Sequence, residues 1–485
     1  MSFSTRIASE VYLKTIIEPF RTKVVEAIKF TTRGEREEIL KKAGYNLFQV
    51  KAEDVMVDFL TDSGTSAMSS EQWAALMRGD ESYAGCSSYF RFEQAVQEIF
   101  GFPIVIPVHQ GRAAERLLFG ELVKCGHVVP SNTHFDTTRA NIEFLGGEAV
   151  DLPCLEAKDS FSDFPFKGNM DIHGLAEVLK TRGESVPFVM ITVTNNAVGG
   201  QPVSIENVRK VSQLARQYNK PLFIDAARFS ENAYLVKKRE HAYEDKSIAY
   251  IAREMFAHAD GCLMSAKKDG LANMGGFIAL KNESLANSVR NRLIITEGFS
   301  TYGGLNGRDL ETIAVGLREA MDEDYLCYRQ AAAKYLANGL SEAGIPVVAP
   351  SGMHAVYIDA RKMLPHIEPA FLPGQRLVCE LYIECGLRSC EIGTAMFGRT
   401  RTDGSQETAR QELVRLALPR RVYGQSHYDY VIEACQLVQE RSEALLGMTI
   451  VSEPPLLRHF TATFAPVSAR SNMNHKLDAT AVCSK

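Results

Sequence analysis

The sequence predicts an α/β protein, a large domain with a mostly parallel central sheet joined to a smaller α/β unit. Three observations predict it. Between about residues 100 and 280, short apolar or β-branched runs alternate with helical periodicity, the signature of repeated strand-helix-strand units. Several of these runs end on a polar or charged residue, where open sheets of this class place ligands. The 485 residues also exceed what one core holds, since single cores stop growing near roughly 250–300 residues.

Composition excludes several classes. Hydrophobic residues at 45% and charged residues at 23% exclude a disordered, fibrous or membrane-embedded chain. A net charge of -5 with scattered Lys and Arg gives no basic field, so nucleic acid is not an expected partner. No apolar run reaches the roughly 18 residues of a membrane span, so no membrane is expected either. Ten cysteines are too dilute for a disulfide scaffold and show no C-x-x-C spacing. Arg6, Glu10, Lys14, Glu18 and Arg21 interrupt the first thirty residues, so no signal segment is expected and the chain reads as cytoplasmic.

In chain order, Val24, Val25 and Ile28, then Ile39, Leu40 and Ala43, carry helical spacing. Alternation at Val55, Val57 and Phe59 leads to the polar loop Thr61-Asp62-Ser63-Gly64-Thr65, either an anion seat or an ordinary turn. A helix from Phe92 to Phe100 precedes the strand Ile104 to Val108, which runs into His109-Gln110-Gly111-Arg112 and the helix Ala113 to Leu122. Amides at such a strand-to-helix turn can cradle a phosphate, although a plain connection with a tight glycine has the same pattern. Neither the dinucleotide nor the Walker glycine motif is present.

Next come a strand from Glu148 to Leu152, a helix from Ile172 to Lys180, the β-branched run Val186 to Thr194, and the loop Asn195 to Pro202. Ser204 caps a helix, and Leu222 to Ile224 forms a buried strand closed by Asp225. Ser265-Ala266-Lys267-Lys268-Asp269 lies on a turn between two strand-like runs. Taken alone, the lysine pair fits a solvated loop as well as a Schiff-base site. Leu310 to Leu340 reads as one long helix or two joined ones, followed by the strand His354 to Ile358, a helix near Arg376 to Gly386, and the strand Leu413 to Pro419.

An amine at Lys268, a carboxylate at Asp225 and an anion turn at Gln110-Gly111-Arg112 form a coherent set for pyridoxal phosphate. The cofactor's aldehyde needs a lysine, its ring nitrogen a carboxylate, and its phosphate amides or arginine. Arg415, inside the apolar run Leu413 to Leu418, can clamp an amino-acid carboxylate, or pair with a buried acid.

On these residues the chain resembles the β-eliminating lyases, the tryptophanase and tyrosine phenol-lyase family. The motifs are Thr61 to Thr65, His109 to Arg112, Gly199-Gly200-Gln201-Pro202-Val203-Ser204, Glu231-Asn232-Ala233-Tyr234, Met264 to Asp269 and Tyr302-Gly303-Gly304-Leu305. The resemblance runs from Glu18 to Thr461. It implies the aspartate-aminotransferase-like fold, fold type I of the pyridoxal phosphate enzymes. The expected division is an arm and part of the small domain over 1–58, a cofactor domain over 59–312, a small domain over 313–465, and a disordered tail over 466–485.

Residue by residue, the resemblance implies that Lys268 carries the cofactor and acts as the base, and that Asp225 pairs its ring nitrogen. Gln110, Gly111, Arg112 and Ser265 hold the phosphate beside Lys267, Phe135 stacks on the ring, and Asn196 and Arg228 lie near its oxygen. Thr61, Ser63, Asn196 and Arg415 bind the substrate carboxylate. Tyr83 reaches in from a neighbouring subunit, and Tyr302 lines the shared site of a homotetramer. Potassium binds Glu81 and the carbonyls of Gly64 and Asn273.

Asp136, Ile392 and His459 follow the tryptophan branch of the family, which implies conversion of L-tryptophan to indole, pyruvate and ammonium, with Tyr83 or Asp136 as proton donor. The competing readings are a lyase for tyrosine or an S-alkyl cysteine, and a non-catalytic tryptophan-binding homologue. Ala113, Ala227, Cys390 and the tail depart from the family pattern.

Overall fold

The computed structural model describes residues 16–401 and 405–467. Its largest sheet has seven strands: β1 (Ile104–Val108), β2 (Val128–Ser131), β3 (Glu148–Asp151), β4 (Val189–Thr192), β5 (Leu222–Asp225), β6 (Gly261–Ser265) and β7 (Gly276–Leu280). Their order across the sheet is β1-β7-β6-β5-β4-β2-β3, and only β7 runs against its neighbours. Strands such as Val189–Thr192 and Gly261–Ser265 are buried along their whole length because helices cover both faces, which explains their lack of polar alternation. The helix Ile205–Gln217 is capped by Ser204, whose hydroxyl accepts from the Asn207 amide at 3.1 Å, and it buries Val208, Val211 and Ala215 on one face.

The second unit is built on β8 (Ala355–Asp359), β9 (Cys390–Ile392) and β10 (Leu413–Ala417), antiparallel in the order β9-β10-β8. Its core also takes Leu40, Leu47, Val57 and Phe59 from the N-terminal segment. Val57–Asp58 pairs in parallel with Leu387–Arg388, so the alternation around Val57 yields only a two-residue strand. The long helical pattern resolves into two helices, Gly307–Glu319 and Glu323–Glu342, with Asp322 capping the second. That second helix gives Leu326 to the core of the large sheet and Leu336 and Leu340 to the core of the smaller unit.

One expected element is corrected. Residues 23–30 are not helical, and Val24, Val25 and Phe30 are exposed, so their helical spacing marks no buried face. The helix that does form, Arg33–Lys42, begins where Thr32 and Glu35 make a reciprocal capping box. The expected tail lies outside the described residues beyond position 467.

Candidate active site

Six parallel strands put their carboxyl ends on one edge of the large sheet, and β7 begins at that same edge. Four of the predicted segments follow directly: Gln110 after β1, Phe135 after β2, Asn196 after β4, and Lys267 with Lys268 after β6, while Asp225 closes β5. They surround one cleft with about 710 Å³ of open space. All ten residues assigned to the cofactor line it, together with Ser63.

At one end, the helix Gly111–Leu122 starts from an extended Gln110. The amides of Ala113 and Ala114 turn back to the Gln110 carbonyl at 3.0 and 3.3 Å, while those of Gly111 and Arg112 precede the helical ladder. A side chain at Gly111 would place its Cβ 2.8 Å from Ser265 Cβ, so glycine is what lets the helix start close against β6. Among the described residues, neither Arg112 nor Lys267 pairs with a carboxylate; burial and the Arg112 charge lower the Lys267 amine. Free amides, a hydroxyl and two cations make an anion seat.

Further in, Lys268 donates to Ser265 Oγ at 3.1 Å. Burial, then the Arg228 charge, pulls its amine down to about 8, with Asp62 and Asp225 opposing. Asp225 accepts from the Ala227 amide at 3.0 Å. Burial raises its carboxyl above the usual range, since among the described residues no cation pairs with it directly. Pyridoxal phosphate fits this donor set: an aldehyde for Lys268, a protonated ring nitrogen for the otherwise uncompensated Asp225, and a phosphate for the helix start.

Arg415 is buried on the middle strand β10 of the smaller sheet. Its Nη2 donates to the Leu60 carbonyl at 3.0 Å and Nη1 to Asn196 Oδ1 at 3.3 Å, and among the described residues no carboxylate pairs with it. Asn196 Oδ1 also accepts from Tyr357 at 2.7 Å and stands 3.0 Å from His354 Nε2, while its Nδ2 is buried without a partner. A buried guanidinium and amide held beside the cleft with donors to spare form a receptor for a carboxylate. Thr61 Oγ1 accepts from the Ser63 amide at 3.1 Å in the adjoining loop.

Asp136 begins the helix Asp136–Phe144, directly after Phe135. Its Oδ2 lies 3.0 Å from Nε2 of His459, which comes from the far end of the chain, and both side chains are buried. The pair is close but out of line for a hydrogen bond. Ile392, on β9, belongs to an apolar cluster with Tyr357, Cys390 and Leu413 and with Phe48, Met396 and Phe397 packed against it.

The remaining assigned residues lie outside the cleft lining. Tyr83 is exposed and packs on Phe299 and Tyr302, with ring centroids 5.7 and 5.5 Å away. Asn273 donates through Nδ2 to the Gly64 carbonyl at 3.0 Å, whereas Glu81 is held by Arg308 at 2.9 Å.

Sequence reasoning gave no role to a buried ionic network that frames the site. Arg420 is fully buried and reaches Asp62 (2.9 Å), Glu231 (2.9 Å) and Asp269 (2.8 Å). Arg228 grips the same Asp62 through Nε and Nη2, and Arg329 holds Glu231. Glu115 was also missed: it lines the cleft, accepts from Thr138 and Asn141, and is pushed up to about 7 by burial. Its only sequence signal is a carboxylate on an otherwise apolar helix face beside Ala114 and Leu118.

Comparison with known proteins agrees with this geometry. The chain is 56% identical over 452 residues to the tryptophanase of Hyphomonas neptunium, covering 93% of this chain and 99% of that one. It is 56% identical over 466 residues to the tryptophanase of Salinibacter ruber, covering 96% and 98%. Identity to a tyrosine phenol-lyase of Symbiobacterium is 46% over 452 residues, covering 93% and 99%. Among solved structures, a threonine aldolase from Leishmania major overlays with a TM-score of 0.54 at 15% identity, covering 79% of this chain and 99% of that one. A serine palmitoyltransferase from Sphingomonas wittichii overlays with a TM-score of 0.56 at 12% identity, covering 85% and 97%. These two likenesses carry the fold. The family model described as β-eliminating lyase matches residues 58–434, and with the tryptophanases at 56% identity it shows that the chain belongs to the β-eliminating lyases.

Proposed function

We propose that the protein is a pyridoxal phosphate-dependent lyase that converts L-tryptophan and water to indole, pyruvate and ammonium. The observation that carries the choice of substrate is the buried Asp136–His459 pair at 3.0 Å, joined to the higher identity with tryptophanases than with tyrosine phenol-lyase.

Gln110, Gly111, Arg112, Ser265 and Lys267 hold the phosphate, Phe135 stacks on the ring, Asp225 keeps the ring nitrogen protonated, and Asn196 and Arg228 flank its oxygen. When bound, the cofactor withdraws electrons from the substrate's α-carbon. Arg415 clamps the substrate carboxylate with help from Asn196, Thr61 and Ser63. Lys268, with its amine pulled down to about 8, is partly neutral near neutral pH and takes the α-proton. Asp136, with His459 3.0 Å away, delivers a proton to the indole carbon that leaves, and Ile392 is part of the apolar wall facing that ring.

Tyr83 serves a neighbouring subunit's site, where Tyr302 joins it; the exposure of Tyr83 and its packing on Phe299 support this. The expected assembly is a homotetramer with potassium held by Glu81 and the Gly64 and Asn273 carbonyls, and the adjacency of Gly64 to Asn273 supports that site. The cytoplasm is the expected compartment, supported by free, mostly buried cysteines among the described residues.

The test offers the purified protein pyridoxal phosphate and potassium with tryptophan, tyrosine or S-methyl cysteine, and measures pyruvate, indole and phenol. Indole with little phenol is expected. Pyruvate from S-methyl cysteine alone overturns the reading.

A further inference from the structure

Beside His459 lies a second and much smaller cavity, which shares no lining residue with the main cleft. It is lined by the polar side chains of Asn46, Gln375, Ser389, Glu391 and His459 and by the apolar Leu47, Phe48 and Val378. It has room for about one water. Two buried polar atoms on its wall lack hydrogen-bond partners: Ser389 Oγ and His459 Nδ1. Asn46 and Gln375 are engaged elsewhere, Asn46 on the His459 and Ala462 carbonyls and Gln375 on the Tyr45 carbonyl. A partly polar site of one-water size with unpaired polar atoms on its wall is where proteins keep an ordered water.

The third group on this wall is a carboxyl. Glu391 accepts the amides of Ala395 (3.0 Å) and Met396 (2.9 Å). Glu412 is its neighbour: a Cβ at Gly393 would lie 2.5 Å from Glu412 Oε2 and 2.7 Å from Glu391 Oε1. Two buried carboxyls flanking one glycine cannot both ionise cheaply: burial raises both above the ordinary range, and the Glu412 charge adds to the rise at Glu391. The pair therefore keeps a proton at neutral pH. Arg458, beside His459 in sequence, is turned to Glu453 at 2.9 Å, while Asp136 lies 3.0 Å from the imidazole and Glu391 shares the small cavity with it.

We propose that this cavity holds one water joining His459 Nδ1 to Ser389 Oγ and the Glu391 carboxyl, and that the chain Glu391–water–His459–Asp136 returns a proton to Asp136 after each release of the leaving group. The proposal rests on the reading of Asp136 as the proton donor. The balance is simple. Asp136 gives its proton to the departing carbon, His459 turns its Nε2 into line with Asp136 across the 3.0 Å gap, passes it that proton and takes one at Nδ1 from the water, and the water takes the Glu391 proton. Glu391 is left as a carboxylate and recovers a proton from solvent between turnovers. Ser389 and Glu391 are positioning residues that act through His459.

The experiment compares Ser389→Ala and Glu391→Gln holoenzymes with the wild type on tryptophan and S-methyl cysteine, whose thiolate leaves without protonation at carbon. A tryptophan kcat lowered by about tenfold or more at unchanged KM is expected, general acid catalysis as a whole being worth roughly 10²–10⁴-fold. S-methyl cysteine turnover is expected to stay within about twofold, in line with a small transition-state penalty. Equal losses on both substrates mean a structural role and overturn the relay; so does no loss on either. A crystal structure with no water between Ser389 Oγ and His459 Nδ1 overturns it independently of activity. A wild type that releases no indole overturns the parent reading and the relay together, whereas normal indole release by Ser389→Ala sinks only the relay.

Discussion

Arg415 and Arg420 are five positions apart, both buried, and in opposite situations. Arg420 meets three carboxylates within 3 Å, and Arg228 and Arg329 complete a cluster with as many arginines as acids. Arg415 donates to a carbonyl and an amide oxygen and lies beside the Cys390 thiol, and among the described residues no carboxylate reaches it. A balanced buried network holds a site in place, while a buried charge left without its counterion is one that a ligand completes. By the same criterion, uncompensated Asp225 and the Arg112–Lys267 corner belong with Arg415, and Asp269, although next to Lys268, belongs with Arg420.

The largest expected effect breaks the balanced side. Arg420→Met leaves Asp62, Glu231 and Asp269 with only Arg228 and Arg329, and removing one partner of a buried ionic group costs roughly 3–5 kcal/mol. The urea midpoint is expected to fall accordingly. A variant of wild-type stability that has lost only activity places Arg420 with the ligand-completed charges.

Arg415→Lys is the complement. It keeps the charge but loses the two-pronged grip on a carboxylate, so kcat/KM is expected to fall by about 100-fold, with stability within ~1 kcal/mol of wild type. Kinetics with tryptophan alongside denaturation of the same sample decide it. Unfolding comparable to that of Arg420→Met would erase the distinction between the two arginines.

These two positions also show what the sequence could and could not convey. Arg415 was legible because an arginine inside Leu413 to Leu418 interrupts an apolar strand. Arg420 and Arg421, just past that strand, drew no reading from the sequence, yet Arg420 is fully buried and Arg421 salt-bridges Glu319 at 2.8 Å. The sheet was legible because most of its strands end on or run into a functional residue. Val24, Val25 and Ile28 show the limit of that approach, since their helical spacing accompanies no helix. Asp136 and His459 meet only through the tertiary fold, so only the family resemblance could couple them.

The open side also titrates. Cofactor capture needs the neutral Lys268 amine, so the rate at which cofactor-free protein gains its visible band is expected to rise about tenfold per pH unit and level off above about 8. The sign follows from burial and Arg228, which favour the neutral amine. Lys267→Met removes a neighbouring positive charge and is expected to move the midpoint upward. A rate flat from pH 6 to 9 assigns the reactive amine elsewhere.

The smallest effect concerns Glu115, which sits on the boundary between the two classes: buried, lining the cleft, accepting from Thr138 and Asn141, and paired with no cation among the described residues. Its carboxyl is raised from an ordinary 4.5 to about 7 chiefly by burial, with the Asp225 and Asp136 charges adding to the rise. Native protein therefore binds the extra proton between those values and the unfolded chain does not, so this group's contribution to stability is full below pH 4.5 and is lost as pH rises through 7. Glu115→Gln keeps an acceptor and cannot ionise. Its stability relative to wild type is expected to be unchanged near pH 4 and higher by roughly 1–3 kcal/mol at pH 8, read from urea midpoints at the two pH values. A variant less stable than wild type at pH 8 shows instead that the ionised carboxylate is the form this fold holds, and moves Glu115 to the compensated side with Asp62 and Glu231.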